Sequence, residues 1–217
     1  LGRRIFDNMR KALVFVIAAH IPIAGMSLLP VVMGWPLLLL PIHVVFFELM
    51  IGPTCSIVFE GEPEDANIMQ RPPRPRDASI IDRALVMRAL LQGGILFVLQ
   101  VGLYLLAQQM ALPLEQARAV TFSAMVISAI ALIFINRGGD KVERMTLAAV
   151  SKPNPALWWV VGATLTMLAA ALLIPALSAL FHFSAPVMPP APHPPPASAQ
   201  AVFAPDASGA GAGRVPG

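Results

Sequence analysis

The stretch ALVFVIAAHIPIAGMSLLPVVMGWPLLLLPIHVVFFELMIGPTCSIVF, residues 12–59, decides how this chain folds. It holds one formal charge, Glu48. On either side of Gly34-Trp35-Pro36 the apolar runs 12–33 and 37–59 are each long enough to cross about 30 Å of hydrocarbon at about 1.5 Å per helical residue. The breaker between them is so short that the two spans form an antiparallel hairpin, with Trp35 at an interface.

Outward from this hairpin the same reading repeats. Residues 89–112 form a third uncharged span, 119–135 a fourth, and 156–181 a fifth with Trp158 and Trp159 at one interface. The fold class is therefore all-α, a polytopic transmembrane bundle of about five spans. Only 12% of the 217 residues are charged, against about 25% in an average soluble domain. The net charge of +3 does not point to nucleic acid, because the basic residues flank apolar spans and form no stripe. The single cysteine, Cys55, excludes an internal disulfide and a CxxC metal site.

Of the 15 Lys and Arg residues, 13 precede the first span or lie in the 60–88 and 137–155 loops. The positive-inside rule makes those segments and the N-terminus cytoplasmic. The chain opens LGRRIFDNMRK without Met or leader, which reads as an internal start in a longer protein. Residues 184–217, rich in Pro, Ala and Gly, are expected to be disordered. The 60–88 loop, EGEPEDANIMQRPPRPR in its first part, is a semi-rigid connector or a docking surface for a cytoplasmic domain.

The polar site follows from depth. His20 lies about 12 Å in from the cytoplasmic end of span one and Glu48 about 16 Å in from that end of span two. Pro22 cannot donate to the Ala18 carbonyl, nor Pro53 to that of Leu49. Glu48, His20 and the freed carbonyls of Leu49 and Ala18 thus form a candidate oxygen-rich pocket for a hard cation or a proton. The alternative is a hydrogen bond between Glu48 and His20 with no further role. His43 lies nearer the outer end, at an expected interfacial position.

Three segments resemble the C-terminal membrane region of bacterial P-type cation-transporting ATPases. GRRIFDNMRK at 2–11 is similar to the stalk leading into that family's fifth helix. The stretch HVVFFELMIGPTCSIVFEGEPEDANIMQRPPRPR at 43–76 resembles its sixth helix and following loop, with IMQRPPR at 68–74 the most specific piece. ARAVTFSAMVISAIALIFINR at 117–137 resembles its eighth helix. The resemblance implies that Glu48 falls on a sixth-helix ligand position and His20 on a fifth-helix one. Gly52 stands where the family has Asp, Ile23 and Ala129 where calcium pumps have acids, so a three-carboxylate calcium site is absent.

The resemblance also implies partners: the bilayer, a cation, and upstream phosphorylation, nucleotide-binding and actuator domains. ATP and Mg2+ belong to those missing domains, and no cofactor is expected for this chain, which is not catalytic alone. The implied location is a bacterial plasma (inner) membrane. Two other readings stay open, a free-standing non-enzymatic membrane subunit and an inactive truncated pump.

Overall fold

The computed structural model of the protein describes residues 2–63, 79–137 and 154–184. The IMQRPPR segment and nearly all of the tail expected to be disordered lie outside the described residues. Helix α1 runs Gly2–Met33, α2 Pro41–Pro53, a π-helical segment Thr54–Phe59, α3 Arg83–Gln109, α4 Leu114–Arg137, α5 Pro155–Leu173 and α6 Pro175–Leu180. Five helical stretches, counting α2 with its π extension as one, are long and apolar enough to cross a membrane.

Helices α1, α3 and α4 begin before their apolar spans because hydropathy marks only the part that lipid requires, whereas α2 begins at Pro41, four residues after the start of the span read as 37–59. Arg3, Arg4 and Arg10 belong to the same helix as Phe15 and Met26, so the stalk enters the first span without a break. α3 starts six residues before its uncharged run, where Asp82 caps it by accepting from the Leu85 N–H at 2.8 Å. Asn154 caps α5 in the same way, accepting from the Leu157 N–H at 3.3 Å, with Pro155 in the first turn. The last span, read as 156–181, is two helices. Pro175 disfavours helical backbone at Ile174, which sits at φ −87°, ψ 116°.

Side-chain contacts fix the directions. Asn8 reaches the Glu62 carbonyl, Phe15 packs on Phe59 and His20 meets Glu48, so α1 and the second span run antiparallel in that register. Gln92 bonds Asn136 and Gln100 bonds Ser128, which sets α3 against α4. Gly93 faces Ile21 and Gly25 faces Phe97, so α1 and α3 lie side by side and parallel. The five spans therefore alternate in direction.

α1 packs most extensively on α3, and also on α4 and the π segment, while α5 rests on the π segment and α4. The α1–α3 approach depends on missing side chains: a Cβ on Gly93 would lie 2.7 Å from the Ala18 carbonyl oxygen, and one on Gly25 would lie 2.4 Å from the Phe97 ring. Small residues at such crossings let backbones close up where lipid gives no hydrophobic drive to association.

Two polar knots close the bundle ends. At one, Glu62 and Arg137 are buried. Arg137 Nε donates to Glu62 Oε2 at 2.8 Å, Asn154 Nδ2 donates to the same oxygen at 3.1 Å, and Asn8 Nδ2 to the Glu62 carbonyl at 2.8 Å. At the other, Arg118 donates to the carbonyls of Leu37 at 2.8 Å and His182 at 3.1 Å.

Candidate functional site

Each sequence-derived site residue has a definite place. Glu48 and His20 meet: His20 Nε2 lies 3.2 Å from Glu48 Oε1. Their side chains are 57% and 43% exposed on the described bundle, on an outer face that also carries Leu49 and Gly52. Ala18 is buried, and its carbonyl, freed by Pro22, faces Gly93 of α3 rather than an open space beside Glu48. The second break is real and local, since the chain leaves α-helical geometry for a π turn at Thr54, directly after Pro53. Such segments are frequent at functional positions within helices. Among the described residues no group of three or more His, Cys, Asp or Glu side chains is placed to hold a metal.

The hydrogen bonds of the pair constrain the His20 tautomer. His20 Nδ1 lies 2.8 Å from the Val16 carbonyl oxygen, which can only accept, so Nδ1 carries a proton. Nε2 is then a bare acceptor if the ring is neutral and a donor if it is charged. Facing Glu48 Oε1, it gives a good contact in two cases: a neutral ring with a protonated acid, or an imidazolium with a carboxylate.

His43 is the contrast. It is 0% exposed, enclosed by Phe122, Phe181 and Phe183 at ring-centre distances of 4.9, 5.4 and 5.2 Å. The Leu40 N–H donates to its Nδ1 at 2.8 Å, so Nε2–H donates to the Phe181 carbonyl at 3.1 Å. Both nitrogens are used by a neutral ring, and His43 serves to tie the C-terminal turn to α2.

Behind the pair, α1, α2, α3 and α4 enclose a small cavity. It is lined by Pro22 and Ile23, Phe47 and Ile51, Leu96 and Gln100, and Met125, Ser128 and Ala129 among others, and has room for roughly one water molecule. Gln100 Nε2 donates to Ser128 Oγ at 3.3 Å, while Gln100 Oε1 has no hydrogen-bond partner. A buried acceptor left unmet costs about 1–3 kcal/mol.

A family model described as "Cation transporting ATPase, C-terminus" matches residues 36–199. The chain belongs to this cation-transporting ATPase C-terminal family. It is 27% identical over 105 residues to calcium-transporting ATPase 2, endoplasmic reticulum-type, of Arabidopsis thaliana, covering 48% of this chain and 10% of that protein. It is 25% identical over 126 residues to the probable cation-transporting ATPase F of Mycobacterium tuberculosis, covering 58% of this chain and 14% of that protein. To the potassium-transporting ATPase alpha chain 1 of Xenopus laevis it is 34% identical over 98 residues, covering 44% and 9%. The matched part of this chain thus spans only 9–14% of the length of these relatives.

This ATPase C-terminal region is a multi-pass membrane bundle. Ile23 and Ala129 both line the cavity with Gln100. Gln100 itself was not among the residues singled out from the sequence. The available signal was spacing: Gln92 and Gln100 on α3 are eight apart, as are Ser128 and Asn136 on α4, and they pair in antiparallel order.

Proposed function

We propose that this chain is the part of a P-type pump through which the cation crosses the membrane, with Glu48 as the main side-chain ligand and His20 as its proton partner. The observation that carries the reading is the 3.2 Å approach of His20 Nε2 to Glu48 Oε1 inside two apolar spans. An intramembrane acid beside broken helix marks an ion or proton pathway, and the π turn after Pro53 supplies the break. The Leu49 carbonyl, which Pro53 leaves without a donor, is the nearest backbone ligand in sequence. The Ala18 carbonyl is a second, reached only on the α3 side.

In this reading cation binding at Glu48 releases the shared proton, and the pair regains it when the cation leaves. The exposed face of the pair is covered by helices upstream of this region. Upstream actuator, nucleotide-binding and phosphorylation domains, using ATP and Mg2+, drive the cycle through the stalk end of α1. The region sits in a bacterial plasma membrane with its N-terminus in the cytoplasm. The gathering of Arg3, Arg4, Arg10, Arg83, Arg88 and Arg137 at one end of the alternating bundle supports that orientation.

The test is Glu48→Gln in an intact pump carrying this region. Loss of cation-stimulated phosphoenzyme turnover is expected, and normal turnover would remove Glu48 from the mechanism.

A further inference from the structure

The one-water cavity behind the His20–Glu48 pair is apolar except at Gln100 and Ser128. Gln100 is 2% exposed and lies in mid-span on α3, far from any headgroup water. As helix–helix glue it needs only its bond to Ser128. Glue leaves Gln100 Oε1 unexplained, since that oxygen has no partner. The Ser128 hydroxyl accepts from Gln100 and keeps its own proton to give. The space therefore offers one acceptor and one donor, a matched pair for a guest that both donates and accepts.

We propose that this cavity is a binding site for one ordered water molecule, which donates to Gln100 Oε1 and accepts from the Ser128 hydroxyl. Two polar partners meet the lower requirement for a buried water. A bare cation is the poorer guest: two neutral oxygens are too few for its coordination shell, and there is no room for it to bring its own waters. With the amide turned over, Oε1 accepts from Ser128 and Nε2 faces the cavity, so one amide group still meets the water in either orientation.

The site brings α3 into the polar interior. Its walls include Pro22 on α1 and Phe47 and Ile51 on α2, the backs of the helices that hold His20 and Glu48. A role in hydrating the cation path rests on the proposed function, whereas occupancy of the site does not.

The experiment is a crystal structure of the protein in a lipidic mesophase, at a resolution that shows waters, from one crystal grown in sodium and one soaked in thallium(I). A single peak about 2.7–3.2 Å from the Gln100 amide and Ser128 Oγ, unchanged between salts and without thallium anomalous signal, is the expected result. An empty cavity overturns the proposal, and so does an anomalous peak, which would make this a monovalent-cation site. In Gln100→Leu the peak is expected to vanish, and its persistence would also overturn the assignment. Should that variant fail to fold, the wild-type pair of structures decides alone. Neither result depends on turnover in Glu48→Gln, so the two ideas fail separately.

Discussion

Arg137 Nε and Glu62 Oε2, 75 residues apart in sequence, meet at 2.8 Å in full burial. The pair joins the end of α4 to the end of the second span. Asn154 adds the start of α5, and Asn8 adds the stalk part of α1 through the Glu62 backbone. Four chain segments that enter or leave the bundle on one side are thereby held by a single acid.

Glu62→Ala removes the carboxylate that Arg137 and Asn154 share, and breaking a buried pair of this kind costs up to about 3–5 kcal/mol. A large drop in the thermal unfolding midpoint in detergent is expected. Glu62→Gln, which keeps an acceptor for Asn154, should lose less. Equal midpoints for wild type and Glu62→Ala would show that the knot does not hold these segments.

The α1–α3 contact gives a second comparison. In Gly93→Ala the new methyl would meet the Ala18 carbonyl oxygen at 2.7 Å and Ile21 Cδ1 at 2.5 Å, and the helices have to part. Overpacking of this kind costs about 1–3 kcal/mol. Gly94→Ala meets nothing within 4 Å and should be neutral or slightly stabilising, because alanine restricts the unfolded chain. Unfolding midpoints of the two variants side by side test the crossing. The idea fails if they coincide.

The 3.2 Å contact of His20 Nε2 with Glu48 Oε1 predicts that a change in one side chain is felt by the other. In Glu48→Ala the His20 ring nitrogen signals are expected to move by NMR in lipid. Unmoved signals would mean that the side chains do not meet.

Arg118 holds the α1–α2 connection and the C-terminal turn through Leu37 and His182. Bonds from a charged donor contribute about 1.5–3 kcal/mol. Arg118→Leu should therefore speed amide hydrogen exchange at Phe181 and Phe183 by roughly tenfold or more, with little change at the opposite end of the bundle. Uniform acceleration would point to global loosening instead.

The fold was legible because lipid demands long apolar runs, and residues 12–33 or 119–135 admit no other reading. The helix ends were less so, since Arg83 and Leu114 extend helices into water, where hydropathy no longer distinguishes them. The Glu48–His20 contact could be found by counting rise from a common end of an antiparallel hairpin. The Glu62 knot could not. Its members are 54, 75 and 92 residues from Glu62, and an acid in EGEPEDAN reads as solvated loop until Arg137 and Asn154 arrive beside it. The surroundings of His43 were hidden for a related reason: depth along one helix is visible in sequence, whereas the phenylalanine cage comes from α4 and the turn after α6. Gln100 is neutral and shares its span with Gln92, Gln108 and Gln109, so only its pairing with Ser128 across two helices gives it weight.

The π segment Thr54–Phe59 has a geometric consequence. Its i→i+5 bonding puts more residues in each turn than an α-helix does, so the second span runs in two angular phases joined at Pro53. Val58 and Phe59, at the end of that segment, are both buried. Such a turn takes up one extra residue, so inserting a further residue between Thr54 and Ile57 would turn both side chains away from α1 and α5 and cut Phe59 loose from Phe15, whereas deleting one there would leave a plain α-helix presenting the same face. The span thus behaves as a two-part rod with a built-in rotation, whose lower half is set by its count of residues as much as by their identity.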